Sequence, residues 1–282
     1  MELRIENGTL LWTSYELEEN IVVPDGVRKI GAVVFGNHKG IKSITIPDSV
    51  MDIAFYAFRG CRNLTYIRLP EGLTEINMAL FNGCESLKEI TVPENVKAIR
   101  NAAFEKCISL EEIVIPKNVK EIDNDVFNEC KSLRRVILPD SLKRIGMRVF
   151  DGCTSLETIK IGRLTEINVK EAKVNISQLM YTIINRNFSE YNSRVTKYIL
   201  SLKGKNMRAY IINNFAGIVN HGLIDSNDIE TLSRLMAEKD FFTRKNIDEC
   251  IQYAIENEKH EIYIMLVNYK AERFGMDSNL KL

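Results

Sequence analysis

Residues Ile113 to Arg135 read IVIPKNVKEIDNDVFNECKSLRR. A short alternating run, Ile113-Val114-Ile115, meets Pro116, and single apolar residues follow at uneven intervals: Val119, Ile122, Val126-Phe127, Cys130 and Leu133. A helix would repeat its apolar residues roughly every 3.6 positions and a strand about every two, so this stretch is neither one long helix nor one long strand. Ile113 and Ile115 suit a short strand whose branched side chains point inwards. Pro116 has no N–H for a sheet ladder and ends that strand. Val119 and Ile122 turn back into the interior from a second short strand, Val126-Phe127 to Cys130 suit a single helical turn, and Leu133 closes the circuit.

The same pattern returns on both sides. All six prolines, Pro24, Pro47, Pro70, Pro93, Pro116 and Pro139, fall at intervals of 23 residues. Phe35, Phe58, Phe81, Phe104, Phe127 and Phe150 keep that interval, as do Ile30, Ile53, Ile76, Ile99, Ile122 and Ile145. No unit of this length buries its apolar groups alone, so neighbouring coils must stack and share one apolar column. Six coils exceed the minimum of about three. At roughly 4.8 Å per strand the stack is about 25 to 30 Å long.

The pattern Ile-x-Ile-Pro-x-x-Val-x-x-Ile-x-x-x-x-Phe-x-x-Cys-x-x-Leu resembles the BspA-like class of leucine-rich repeats over about residues 21 to 161. The resemblance implies a curved solenoid with a parallel sheet on one face and a protein-binding activity, often that of a bacterial surface adhesin. The expected architecture is thus a leucine-rich-repeat solenoid, with a parallel β-sheet and short helical turns, followed by an all-α domain. Residues 1–20, with Asn7-Gly8 between apolar runs, are expected to form a capping β-hairpin. Residues 21–164 hold six repeats and a partial seventh opened by Ile159 and Ile161, and residues 165–282 form the helical domain.

Beyond Thr165 proline is absent and helical periodicity takes over. Helices are expected near 175–186, 190–202, 206–220, 227–238, 244–257 and 260–272, with Ser226 and Thr243 as N-caps and Gly222 and Gly275 as stops. The last two resemble an ankyrin-type helical pair, with Ala254-Ile255 on one and Glu261-Ile262 to Val267 on the other. Ile229 and Leu232 precede Ile262 and Met265 by 33 residues, the ankyrin interval.

Thirty-eight basic residues balance thirty-eight acidic ones, and 45% of the chain is hydrophobic. No global field draws it to nucleic acid or an anionic membrane. The longest apolar run, Ile262 to Val267, is far short of the roughly 20 residues of a spanning helix. Glu2 at the start, without a basic segment and apolar run, favours the cytoplasm over secretion, with the cell surface as the alternative if a leader has been removed.

Cys61, Cys84, Cys107, Cys130 and Cys153 recur with the repeat, and His38 takes the place in the first coil. Residues in phase stack in a line, where a small weakly polar side chain suits a tight corner. A zinc site needs ligands converging on a point. Five thiols plus Cys250 do not make a disulfide framework, although adjacent coils approach disulfide distance. His38, His221 and His260 are the three histidines, the latter two expected at helix ends. No nucleophile-base-acid set, phosphate loop or Glu-x-x-His helix is present, so neither cofactor nor catalysis is expected. Lys117, Lys120 and Glu121 read as a solvated convex face.

The outward positions flanking each inward isoleucine are the candidate site. One row is Ser43, Tyr66, Glu89, Glu112, Arg135 and Thr158, and the other is Thr45, Arg68, Thr91, Val114, Ile137 and Lys160. They are expected to line the concave surface. Val114 and Ile137 put an apolar centre between Glu89 and Glu112 on one side and Arg134, Arg135 and Lys160 on the other, the layout of a protein-binding patch. The expected function is a non-catalytic scaffold binding a protein partner there. The alternatives are a bacterial surface adhesin, or a helical effector or enzyme targeted by the repeats.

Overall fold

The computed structural model describes residues 2–14, 18–172, 174–186, 193–202, 205–238 and 241–275. These fall into two compact units, Met1–Asn185 and Arg186–Leu282.

The coils of the first unit are built on two strand rows and one corner. The front row consists of Asn20–Val22, Ser43–Thr45 and Tyr66–Arg68 in one parallel sheet, then Glu112–Val114, Arg135–Leu138 and Thr158–Ile161 in another. Each central Ile or Val is buried, because alternate side chains of a strand point to opposite faces. The second row, expected from Val119 and Ile122, is made of two-residue strands. Lys29–Ile30 and Asp52–Ile53 form one parallel set, and Glu75–Ile76, Ala98–Ile99, Glu121–Ile122 and Arg144–Ile145 the other. The N-terminal hairpin, Leu3–Glu6 against Thr9–Thr13, turns at Asn7 and Gly8, both of positive φ, and its second strand extends this row by pairing with Lys29–Ile30.

The corner is made of successive i→i+3 turns where one helical turn was expected. Asn128 N donates to Asp125 O and Cys130 N to Phe127 O, at 3.1 Å each. Asp125 and Glu129 have φ of 58° and 60°, and the positions in phase with them share this handedness, which an α-helical turn does not allow. Inside the corner the rings Phe35 to Phe150 stack with centroids 5.4 to 5.9 Å apart and planes within 14° of parallel. The corner backbone stays bonded from coil to coil throughout: Phe35 N to Ala57 O, Phe58 N to Leu80 O, Phe81 N to Ala103 O, Phe104 N to Val126 O and Phe127 N to Val149 O.

Both strand rows are interrupted, at different coils. Between Ile53 and Ile76 the second row is open, and Ile53 O accepts from the Asn77 side chain at 2.7 Å in place of a backbone N–H. Here Gly72 stands where Ser49, Asn95, Asn118 and Ser141 each donate to a carbonyl of the preceding coil. Gly72 has no side chain to make that tie. The front row is open at Glu89–Thr91, which joins neither sheet.

The repeat's far end departs from expectation. Residues 165–168 are a strand, Thr165–Asn168, turned back at Gly162 to pair antiparallel with Thr158–Ile161. The alternation in Leu164-Thr165-Glu166-Ile167, following Gly162, was the available signal. Helix Ile176–Asn185 then belongs with the coils rather than with the helical unit. Its Ser177 hydroxyl accepts from Phe150 N at 3.0 Å, and Asn185 pairs both ways with Ile145, accepting from its N–H at 2.9 Å and donating to its C=O at 2.7 Å. Two side chains stand in for the backbone of a missing next coil, which blunts the open ladder.

In the second unit, helices Ser193–Ser201, Lys205–Asn213, Phe215–Val219, Ile229–Ala237, Arg244–Glu256 and His260–Phe274 follow the expected sites, the third segment being divided at Asn214. Thr243 caps its helix in a reciprocal box with Asn246, and Gly275, at φ 80°, ends the last helix. Ser226 is not an N-cap: its hydroxyl donates back to Gly222 O at 2.8 Å, and Asp228 caps the next helix by accepting from Thr231 N. Gly222 is not a stop. It lies within a π-helical turn, Asn220–Ile224, where a Cβ would collide with Thr196.

Candidate functional site

The two outward rows lie on one face of the front strands, since residues two apart on a strand share a face. Register brings Val114 beside Ile137 and Glu112 beside Arg135. Val114 is 51% exposed and Tyr66 53%, while Ile137 is half-buried. Val114 and Ile137 are thus neighbours on this face. Their charged flanks are not two separate fields: Arg135 donates to both oxygens of Glu112 at 2.7 and 2.8 Å. Arg68 likewise grips Asp48 at 2.8 Å. Those bonds, with one from Glu71 N–H, hold the Asp48 carboxyl below the usual carboxylate range. Glu89, in phase with Glu112, has no ion-pair partner among the described residues. Thr45 and Thr158 are half-buried, and Thr91 and Lys160 exposed.

The cysteine column runs along the corner. Each thiol donates to a Phe carbonyl of the preceding coil: Cys61 to Phe35 at 2.9 Å, Cys84 to Phe58, Cys107 to Phe81, Cys130 to Phe104 and Cys153 to Phe127. All are free thiols. Burial pushes Cys61 and Cys153 up to about 12 and the three between them well above the ordinary thiol value, so they stay protonated and poorly nucleophilic. Among the described residues no group of three His, Cys, Asp or Glu side chains could hold a metal ion.

Glu121 is less a freely solvated charge than expected. It accepts from Arg144 at 3.0 Å and Arg100 at 3.3 Å, and Arg100 reaches Glu75 as well, an ion-pair chain across coils along the second row.

In the helical unit, the π-helical turn gathers residues that sequence spacing left apart. Tyr253 OH donates to Asp225 Oδ1 at 2.8 Å and lies 3.0 Å from His221 Nδ1, which is 3.3 Å from Asp225 Oδ2. Burial and the Asp225 carboxylate push Tyr253 up to about 12, the opposite of what a base or nucleophile needs. Cys250 is buried with its thiol pushed up, and His260 is exposed at a helix start. The spacing Asp225–Tyr253 carried no signal; it is a tertiary contact across two helical segments.

Stacked two-row coils with a continuous Phe column define a leucine-rich-repeat solenoid. The sequence profile of the BspA type leucine-rich repeat region matches residues 11–134 and 97–214, with six copies. The chain belongs to that family. The solved leucine-rich repeat protein of T. pallidum is 30% identical with a TM-score of 0.52, over 57% of this chain and 78% of that one. A leucine-rich repeat protein of Bacteroides ovatus is 31% identical with a TM-score of 0.51, over 58% of this chain and 45% of the other, so the chain spans less than half of that relative. Among curated proteins none matches. Among the described residues no helix is long and apolar enough to cross a membrane.

Proposed function

We propose that the chain is a non-catalytic scaffold that binds a protein partner on the exposed face of the front strand row. The observation that carries this reading is the Val114–Ile137 pair, apolar side chains adjacent in register on the outward face. Interfaces concentrate their energy in such small apolar centres rimmed by polar groups. The thiols held protonated and the phenol tied to Asp225 support the non-catalytic half of the reading. Affinity capture from native lysate, comparing the unaltered chain with Val114→Glu plus Ile137→Glu, tests it. The double variant loses the specific prey and keeps its melting temperature; unchanged capture overturns the reading. We place the scaffold in the cytoplasm. Fractionation of native cells checks this, and recovery on the outer surface would make the same face that of an adhesin.

A further inference from the structure

Among the described residues the front row opens at Glu89–Thr91, and the surroundings are chemically distinctive. Between the second and third coils the ladder is intact, with Thr65 N to Lys42 O at 2.9 Å and Ile46 N to Arg68 O. No backbone hydrogen bond joins Thr65–Leu69 to Lys88–Val92 among the described residues. On the other side, Glu111 N reaches Lys88 O at 3.0 Å, and nothing joins Glu89–Val92 to Glu112–Ile115. Tyr66–Arg68 and Glu112–Val114 therefore keep unused N–H and C=O groups towards Lys88–Val92, the segment that lies between these two strands. Between them lies a cleft of about 590 Å3 lined by both strands and by Ile90, which is only half-buried where its counterparts Ile44, Ile113 and Ile159 are buried.

The cleft carries Glu71, Glu89, Glu94 and Glu112 against one cation, Arg68, which Asp48 already engages. Glu112 is taken by Arg135. Glu89 and Glu94 have no ion-pair partner among the described residues. Val114 and the exposed Tyr66 ring supply apolar surface on either side. Unused strand backbone groups select an extended backbone, and the excess of carboxylates selects cationic side chains.

We infer that this cleft takes an extended, lysine- or arginine-bearing peptide segment of a partner, which hydrogen-bonds to backbone groups left unused along the row and sets its cations beside Glu89 and Glu94. The inference rests on the protein-binding reading above and names the partner's chemistry.

The probes are synthetic peptides of alternating lysine and valine, the same peptide with alternate backbone amides N-methylated, and an alternating glutamate and valine peptide. Titration into the full chain is read by calorimetry, with amide hydrogen exchange on the complex. The lysine peptide binds and slows exchange at Tyr66–Leu69 or Glu112–Ile115. N-methylation, the glutamate sequence, and Glu89→Lys plus Glu94→Lys in the protein each weaken binding by roughly tenfold or more. A control with the same charge change elsewhere, Asp25→Lys plus Glu261→Lys, binds as the unaltered chain does. Equal binding of the glutamate or N-methylated peptide, equal loss with the control, or no binding of the lysine peptide overturns the inference. If capture of the native prey still depends on Val114 and Ile137 in that event, the broader protein-binding reading survives and strand addition alone falls.

Discussion

The Phe–Cys corner and the front strand row follow the same 23-residue period, yet one runs unbroken from Phe35 to Phe150 and the other stops at Glu89–Thr91. The Phe positions of the corner face inwards in every coil and admit one kind of side chain, and each coil repeats its neighbour's backbone bonds. The row's outward positions face solvent and vary. At Glu89 the variation places a carboxylate in phase with Glu112, and like charges on adjacent strands oppose pairing. Periodicity secures the interior, whereas continuity of the ladder depends on residues that the period does not constrain.

The largest test strikes the corner through its thiols. Folding raises the pKa of Cys61, Cys84, Cys107, Cys130 and Cys153, so their contribution is fully present below the unfolded thiol value of about 8.5. Above it the unfolded chain releases protons that the folded chain keeps, and stability falls by about 1.4 kcal/mol per thiol per pH unit until the folded value is reached. Urea midpoints measured from pH 7 to pH 10 fall steeply, and Cys84→Ala plus Cys107→Ala flattens the slope. A midpoint that does not move with pH shows the column to be exposed to solvent.

Next in size is Phe104→Ala, which removes a ring stacked on both sides and leaves a cavity in the middle of the column. Loss of a buried Phe costs about 3–5 kcal/mol when the surroundings relax only partly. Equilibrium denaturation reads it. A loss below about 1 kcal/mol means the corner can collapse around the gap, and its contrast with the tolerant strand row disappears.

The corner was the part most legible in the sequence, because inward residues announce themselves by type: Phe, Cys, Pro and Ile each recur in phase. The strand row is legible as positions and register, which place Val114 beside Ile137. The opening at Glu89 is not, since Glu is an ordinary residue on an outward strand position and only the geometry of both neighbours shows the bonds missing. The end of the repeat is hidden from the sequence for a related reason. Ser177 and Asn185 act by imitating backbone groups, and nothing in their spacing distinguishes them from surface polar residues of a helix. In the helical unit, Thr243 carried a local cap signal, whereas the Asp225–Tyr253 contact and the packing of Gly222 on Thr196 join segments far apart in the chain.

The smallest effect is the sharpest probe of the difference. Glu89→Thr removes the repulsion with Glu112 and puts a β-branched residue at a strand position, which favours pairing by about 0.5 kcal/mol. The expected gain is small because the residue is exposed and its neighbours keep their own ion pairs. Amide exchange is the better readout: with Thr at 89, the N–H groups of Leu69, Glu89 and Val92 gain protection as the two front sheets join. Closing the ladder also engages the unused backbone groups, so the same variant loses affinity for the lysine–valine peptide although it keeps Glu71, Glu94 and Glu112. If protection does not change, charge is not what holds the row open. Its cause would then lie in the backbone of the third coil, where Gly72 leaves the second row without its tie.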